Sequence, residues 1–361
     1  MMLIGLCLTA WFFVIAVLMG SAGGNRASTS TEPKHDALIR WAVECGIEGV
    51  DNVYIGGFMK NGVAVRGLGL TRDIAADEPV ICSPMRCLPY TTDPEFREIW
   101  GKEFADGGPC TRREQLALYL AEEARKGNAS KWAAFIRTLP SEEEYRKFHP
   151  AYRPIGPPYL PRENDMWRNK ATSLQQCYEA YLSKGRSLGV SYDDAFLAFV
   201  WAKSRGVTSW EPQLEIYMMP IAELCNASPL KDLNARDFPD EKGGTEYDCT
   251  WAIRDLHAGE ELLCEYFTED YNPLTFFQVF GFTLPPENFN FDVDGEGEPA
   301  MCDGLRPHEF TEPKPDADPI VRNFWRFAST HCTAVAAEFR RQSLHAIVGD
   351  EDVRQNDEEE L

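Results

Sequence analysis

Residues 220–228 read PIAELCNAS and residues 254–282 read RDLHAGEELLCEYFTEDYNPLTFFQVFGF, with a variable polar insert between them. The first segment is an apolar strand running into a turn at Asn226. The second holds a strand ending at Cys264-Glu265-Tyr266, an asparagine (Asn272) at a helix start, and an aromatic-Gly-aromatic turn, Phe280-Gly281-Phe282. Asn226 offers both a donor and an acceptor, and Tyr266 offers a phenolic hydroxyl. At the ends of neighbouring strands the two would converge on one small polar ligand. Each alone also has a plainer reading. Asn226 suits a turn or the sequon Asn226-Ala227-Ser228, and Tyr266 suits a strand end with its hydroxyl in solvent. Pro229 disfavours that sequon, and Asn128-Ala129-Ser130 is the better glycosylation acceptor.

The chain of 361 residues is long enough to bury a sizeable core. A hydrophobic content of 44% and an aromatic content of 12% belong to a globular protein. The net charge of −21 argues against nucleic acid as a partner, because phosphate binding needs clustered Lys and Arg. It is compatible with steering a basic protein substrate, and equally with simple solubility. Leu3 to Met19 carries no charge and is followed by Gly20-Ser21-Ala22-Gly23. This leader is long for a signal-peptide core, slightly short for a spanning helix, and has no basic residue before it. It predicts the secretory pathway or membrane attachment through residues 3–19, with cleavage left open. Ten cysteines lie beyond it, an even number that permits disulfides, although several fall in strand patterns where free buried cysteine is common. No Cys-x-x-Cys or Cys/His cluster occurs, so no metal site is expected.

Taken in order, His35 to Cys45 has helical periodicity with Gly46 as its stop, and Val53-Tyr54-Ile55 and Val63-Ala64-Val65 read as strands joined at Asn61-Gly62. The glycine-rich stretch Arg66-Gly67-Leu68-Gly69-Leu70-Thr71-Arg72-Asp73-Ile74 follows and reads as a turn. From Thr111 the period becomes helical: capping boxes at Thr111-x-x-Glu114 and Ser141-x-x-Glu144, and helices over Lys131–Leu139, Thr172–Leu182 and Tyr192–Ser204. Pro285 to Pro319 reads as an extended linker, Asp318-Pro319 opens an amphipathic helix reaching Gly349, and Asp350 to Leu361 is an acidic tail.

These elements, in this order, resemble the SET-domain methyltransferases, in the branch of Rubisco large-subunit methyltransferase and the actin-histidine methyltransferases. In that branch the corresponding elements read asparagine-histidine-serine, a Gly-Glu-Glu turn, a strand ending in Tyr-Gly, an asparagine, and Tyr-Gly-Phe. The resemblance implies an α+β fold: SET-domain β-sheets split by a helical insert, with a short helical C-terminal region. It divides the chain into a leader (1–24), SET portions (35–110 and 207–285) flanking the insert (111–206), and a linker, helix and tail (286–361). It implies a protein N-methyltransferase that moves a methyl from S-adenosyl-L-methionine to a lysine, or to a histidine, of a protein or peptide substrate. Tyr266 would be the catalytic tyrosine aligning acceptor and methyl. Asn226, Tyr266, Arg205 and the backbone at Gly67, Leu68 and Gly69 would hold the cofactor, since backbone without a Cβ lets a ligand approach closely. Phe280, Glu223 and Ser204 would face the substrate. For Arg205 the alternative is an exposed arginine favoured by a helix C-terminus.

Three positions depart from the family pattern. Ala227 replaces the histidine after Asn226, Phe267 replaces the glycine after Tyr266, and Phe280 replaces a tyrosine. These departures, with the short C-terminal region, support a competing expectation: a non-catalytic SET-like scaffold that binds a partner peptide.

Overall fold

The computed structural model describes residues 28–29, 33–60, 63–91, 108–153, 166–183, 189–208, 216–242, 245–266, 273–282, 284 and 322–329. The leader, the Asn61-Gly62 dipeptide, Phe267, Asn272 and the linker and tail readings fall outside them. So do Cys302 and Cys332.

Helix α1 (Pro33–Cys45) follows a short strand β1 (Ser28–Thr29). Strands β2 (Val53–Lys60) and β3 (Val63–Leu70) form the expected hairpin, but longer than the β-branched residues alone suggest. Val53 pairs with Leu70 and Lys60 with Val63, giving a sheet ordered β1-β2-β3. This corrects the sequence expectation for the glycine-rich stretch: Gly67-Leu68-Gly69 lies inside β3, not in a turn. The glycines are needed there because cross-strand neighbours fill their Cβ positions. A Cβ on Gly69 would sit 2.3 Å from the Tyr54 ring, and one on Gly67 would sit 2.5 Å from Nδ2 of Asn226.

After β4 (Pro79–Pro84) comes a run of helices: α2 (Arg112–Lys126), α3 (Ala133–Ile136), α4 (Glu142–Phe148), α5 (Met166–Ser183) and α6 (Tyr192–Arg205). Both expected capping boxes are formed, and Ser191 with Asp194 makes a third at the start of α6. Helix α2 is buried on nearly every side, with Leu116, Leu118, Tyr119 and Leu120 fully inaccessible. The helix expected over Lys131–Leu139 is only one turn of α-helix. Its flanks close as i→i+3 turns, Thr138 onto Phe135 and Leu139 onto Ile136, because Pro140 disfavours the α conformation at the residue before it. His149, just beyond α4, is buried; Nε2–H donates to the Val279 carbonyl and Nδ1 accepts from the Ala151 amide. Burial holds this imidazole down at about 4, so it is neutral at neutral pH.

Strands β5 (Gly206–Thr208) and β6 (Ile216–Met218) pair with each other. Strands β7 (Asn226–Ala227), β8 (Ala235–Lys242), β9 (Thr245–Ala252) and β10 (Leu263–Cys264) complete a five-stranded sheet ordered β4-β9-β8-β10-β7. Strand β10 runs parallel to both β7 and β8, wedged between segments that precede it by some thirty residues or more. Helix α7 (Pro273–Phe280) then returns against the helices, and residues 322–329 form a further helix that stacks Phe327 on Phe277 at 5.4 Å. One hydrophobic core runs through the sheets and the inserted helices together, from Leu38 and Leu68 to Phe199 and Leu262. No helix among the described residues is long and apolar enough to cross a membrane.

Eight of the ten cysteines beyond the leader pair as Cys45–Cys87, Cys82–Cys249, Cys110–Cys177 and Cys225–Cys264. The sequence left open whether strand cysteines are free or bridged; the register decides it, since Cys82 and Cys249 lie directly opposite each other on β4 and β9. Mass mapping after alkylation of the unreduced protein should therefore find these eight unlabelled. Closing the Cys110–Cys177 loop, a separation of 67 residues, restricts the unfolded chain. Replacing both by alanine should lower stability by about 4 kcal/mol in denaturant unfolding.

Candidate active site

The end of α6, the loop before β7, the end of β10 and the end of α7 meet around one cavity of about 270 Å³. Helix α6 delivers Ser204 and Arg205. The Ser204 hydroxyl donates to its own helix at Val200 and lies 3.2 Å from the Tyr145 hydroxyl. Arg205 reaches away from its helix to the buried Glu223 carboxylate, with Nη1 also donating to the Glu223 carbonyl. Burial opposes the guanidinium charge, but Glu223 and the Tyr145 and Tyr266 hydroxyls outweigh it and hold Arg205 above the usual arginine range. The alternative of an exposed arginine at a helix end is thereby excluded. Nε of Arg205 and Oε1 of Glu223 are both buried and have no hydrogen-bond partner among the described residues.

Glu223 is aimed by a strained loop. Ile221, fully buried, has φ 72° and ψ −64°, the backbone of a tight three-residue turn that β-branched residues rarely adopt. Four residues on from Ile221, the Cys225 carbonyl accepts the Tyr266 hydroxyl at 2.9 Å. The phenol's proton is therefore committed, and its lone pairs remain to accept. Burial, with Arg205 opposing and Glu223 adding to it, pushes the phenol up to about 12, so it stays protonated. Phe280 packs on Tyr266 with ring centroids 5.0 Å apart.

Asn226 stands on the next residue but not in this cavity. Its Nδ2 donates to the Arg66 carbonyl at 3.0 Å and to Oε1 of Glu261 at 2.9 Å, and Glu261 pairs with Lys60 at 2.6 Å. Those contacts leave it unsuited to glycosylation, whereas Asn128 is exposed. Gly67 abuts Asn226; Gly69 lies beneath Tyr54; Leu68 is fully buried, with its carbonyl taken by the Leu262 amide. The structure thus brings Ser204, Arg205, Glu223, Tyr266 and Phe280 to one cavity. Asn226 and Gly67 lie together at a second place, with Glu261 and Lys60, and Gly69 lies against Tyr54.

No protein-family profile and no curated protein matches the chain. Solved structures do. The SET domain of LSMT bound to lysine and AdoHcy aligns with a TM-score of 0.53 at 18% identity, over 72% of this chain and 59% of that one. Rubisco LSMT bound to sinefungin and monomethyllysine aligns at 0.51 and 18%, over 71% and 57%, and Rubisco LSMT bound to AdoMet at 0.51 and 19%, over 71% and 57%. The fold is that of a SET domain. The chain spans less than three fifths of the length of these neighbours.

In this SET domain, residues absent from the sequence reading also line the cavity: Arg113, Lys203, Asp237 and Glu265. Burial, and then the charges of Arg113 and Lys170, bring Lys203 down to about 7. Burial, and then the neighbouring Asp248, raise Asp237 to about 7; burial raises Asp248 to about 6. Their signal in the sequence was the alternation Asp248-Cys249-Thr250, which puts two polar groups on one face of a strand beside Asp237. A folded-state carboxyl raised above its unfolded value is fully favourable at low pH, and its contribution is lost as pH rises through the folded value. Asp237→Asn should match the parent near pH 4 and exceed it by roughly 1–3 kcal/mol at pH 8. Thermal unfolding across that range measures the difference.

Proposed function

We propose that this SET domain is an S-adenosylmethionine-dependent protein N-methyltransferase acting on lysine, with histidine as the second candidate acceptor. The observation that carries the reading is the Tyr266 hydroxyl, fixed by the Cys225 carbonyl in the wall of a cavity that the Arg205–Glu223 pair also lines. Neighbours of the same fold bind lysine, monomethyllysine, AdoMet and AdoHcy, and that supports both the substrate class and the cofactor.

The residues at the second place fit the amino-acid end of such a cofactor. Glu261 offers an anion, Lys60 a cation and Asn226 an amide, with the Asn226 and Glu261 side chains packed over Gly67. When bound, S-adenosylmethionine supplies an electrophilic methyl group on sulfonium sulfur. The chain's own tasks are positional. Phe280 and Tyr266 wall the cavity, Arg205 and Glu223 hold the end of α6 against the loop before β7, and Tyr266 accepts a hydrogen bond that orients the acceptor nitrogen. Phenolic oxygen held by a carbonyl does not deprotonate at neutral pH, so Tyr266 aligns and is not the base.

One observation favours the scaffold reading. The amide of Asn226 is already met by Glu261 and the Arg66 carbonyl, and Ala227 provides no side chain in place of the family histidine. Two measurements separate the readings. Calorimetry with S-adenosylmethionine should show binding by the wild-type chain, and labelling with a methyl-tritiated cofactor should mark a lysine substrate. Tyr266→Phe, which removes one hydroxyl and almost no volume, should lower turnover by roughly 10²–10³ while leaving cofactor affinity within a few-fold. Cofactor binding without any methylation, unchanged in Tyr266→Phe, would establish the scaffold.

We also propose that residues 3–19 direct the chain to the secretory pathway or anchor it in a membrane. Four disulfides, which form and persist in oxidising compartments, support this. A C-terminal fluorescent fusion should localise to a membrane-bounded compartment and become cytosolic when the first 22 residues are deleted. A diffuse signal from the full-length fusion would contradict it.

A further inference from the structure

The cavity carries a carboxylate that the proposed reaction has not used. Strand β10 runs parallel to β8 with Cys264 beside Ala235, and the chain just beyond each brings Asp237 and Tyr266 close enough that the Asp237 charge acts on the phenol. Both line the cavity. Of the three carboxylates in its walls, Glu223 is answered by Arg205, and Glu265 by Arg236 at 3.1 Å. Asp237 accepts a hydrogen bond at Oδ1 from the Thr250 hydroxyl, at 2.6 Å, its partner among the described residues. The charges that bear on it most are again carboxylates: Asp248, which faces it from β9 and takes the Tyr217 hydroxyl, and Glu265 from the end of β10. Neither of the cavity's other cations, Arg113 and Lys203, is among the charges that bear most on Asp237. Arg113 donates to the Lys203 carbonyl and to the Thr208 hydroxyl, and Lys203 lies within the field of Arg113 and Lys170.

An independent sign of a ligand comes from Glu223, whose side chain is 2% exposed and whose Oε1 lacks a partner at this same cavity. A carboxylate in a cavity wall whose nearest charges are other carboxylates is unfavourable until a cation joins it. We infer that Asp237 is the counter-charge that draws a lysine ammonium of the substrate into the Tyr266 cavity and takes one of its protons. In that step an N–H bond of the ammonium breaks, an O–H bond forms on the Asp237 carboxylate, and the electron pair stays on nitrogen. Ammonium and carboxylate become amine and carboxylic acid, with no net change of charge. Tyr266, protonated and donating to Cys225, accepts a remaining N–H and fixes the lone pair's direction. The inference rests on the lysine-methylation reading for its choice of cation. The ionisation of Asp237 near neutrality suits it to exchange a proton with solvent between turnovers.

Full-length protein is titrated with Nα-acetyl-lysine amide and with Nα-acetyl-norleucine amide, followed by ligand-observed NMR at pH 6 and pH 8. Wild type should prefer the lysine probe by about tenfold or more at pH 8, with the preference shrinking at pH 6 as Asp237 takes up a proton. Asp237→Asn, whose folding is checked by its thermal unfolding, should lose both the preference and its pH dependence. A variant that keeps the preference, or a wild type that has none, overturns the inference. A second measurement needs no variant. The carboxyl ¹³C resonance of Asp237 should titrate at lower pH when the lysine probe saturates the site, and an unmoved midpoint also overturns it. Calorimetry with S-adenosylmethionine on both proteins keeps the two readings apart. Lysine preference that depends on Asp237, with no cofactor uptake by either protein, would leave this inference standing and remove methyl transfer. Cofactor uptake without lysine preference would do the reverse.

Discussion

The ion pair between the half-buried Arg205 and the buried Glu223 carboxylate is the constraint on which the site depends. It joins the last residue of the inserted helices to the loop that leads into β7. Such a pair contributes little net stability, because taking both charges out of water roughly cancels their attraction. Its effect is on position. An arginine with several fixed donors accepts a carboxylate in few geometries, so the end of α6 cannot slide relative to the sheet without stranding a charge. The strain at Ile221 belongs to the same arrangement: a left-handed β-branched residue costs about 1–3 kcal/mol, and it persists only where its surroundings leave no alternative.

Cys225 connects the two halves of the site. Its carbonyl receives the Tyr266 hydroxyl, its sulfur is bonded to Cys264 on β10, and its successor Asn226 starts β7. Tyr266 lines the cavity, and the Asn226–Glu261–Lys60 cluster lies outside its lining. Two parallel strands of two residues each would hold this divide weakly by hydrogen bonds alone. The disulfide across the strand pair keeps Tyr266 and Asn226 at a fixed separation.

Much of the architecture was legible because local signals agreed with the final packing. Thr111, Ser141 and the periodicity of residues 192–204 marked helices that the structure contains, and the order of motifs from Asn226 to Phe282 pointed to the fold. Failures came where neighbours distant in sequence decide the outcome. Gly67 and Gly69 look like a turn, yet they occupy a strand because Tyr54 and Asn226 fill the space their side chains would need. Pairing of Cys82 with Cys249 depends on a register across 167 residues that no spacing rule supplies. Asp237 was passed over inside a polar insert, since its significance comes from lying close to Tyr266 once β10 threads parallel to β8. Ser204, Arg205, Glu223, Tyr266 and Phe280 do meet at one cavity, whereas Asn226 and the Gly67-Leu68-Gly69 backbone, expected to share a ligand with Arg205 and Tyr266, lie outside it, and that separation is a property of strand threading, which a linear pattern does not display.

The acidity of the chain acts at two ranges that should be kept distinct. A net charge of −21 creates a field that guides a basic partner toward the surface, but at physiological ionic strength it decays over about 8 Å. It sets how often encounters occur and carries no preference between one lysine and another. Inside the cavity screening is weak, and individual charges dominate: Glu223 is neutralised by Arg205 and Glu265 by Arg236, while Asp237 faces carboxylates. The overall charge cannot be the source of selectivity for a side chain, because replacing a distant surface acid leaves this local imbalance untouched. On the inference that the cavity accepts a cation, acceptance turns on the few residues of β8, β9 and β10 around Tyr266, and the acidic surface only brings candidates to them.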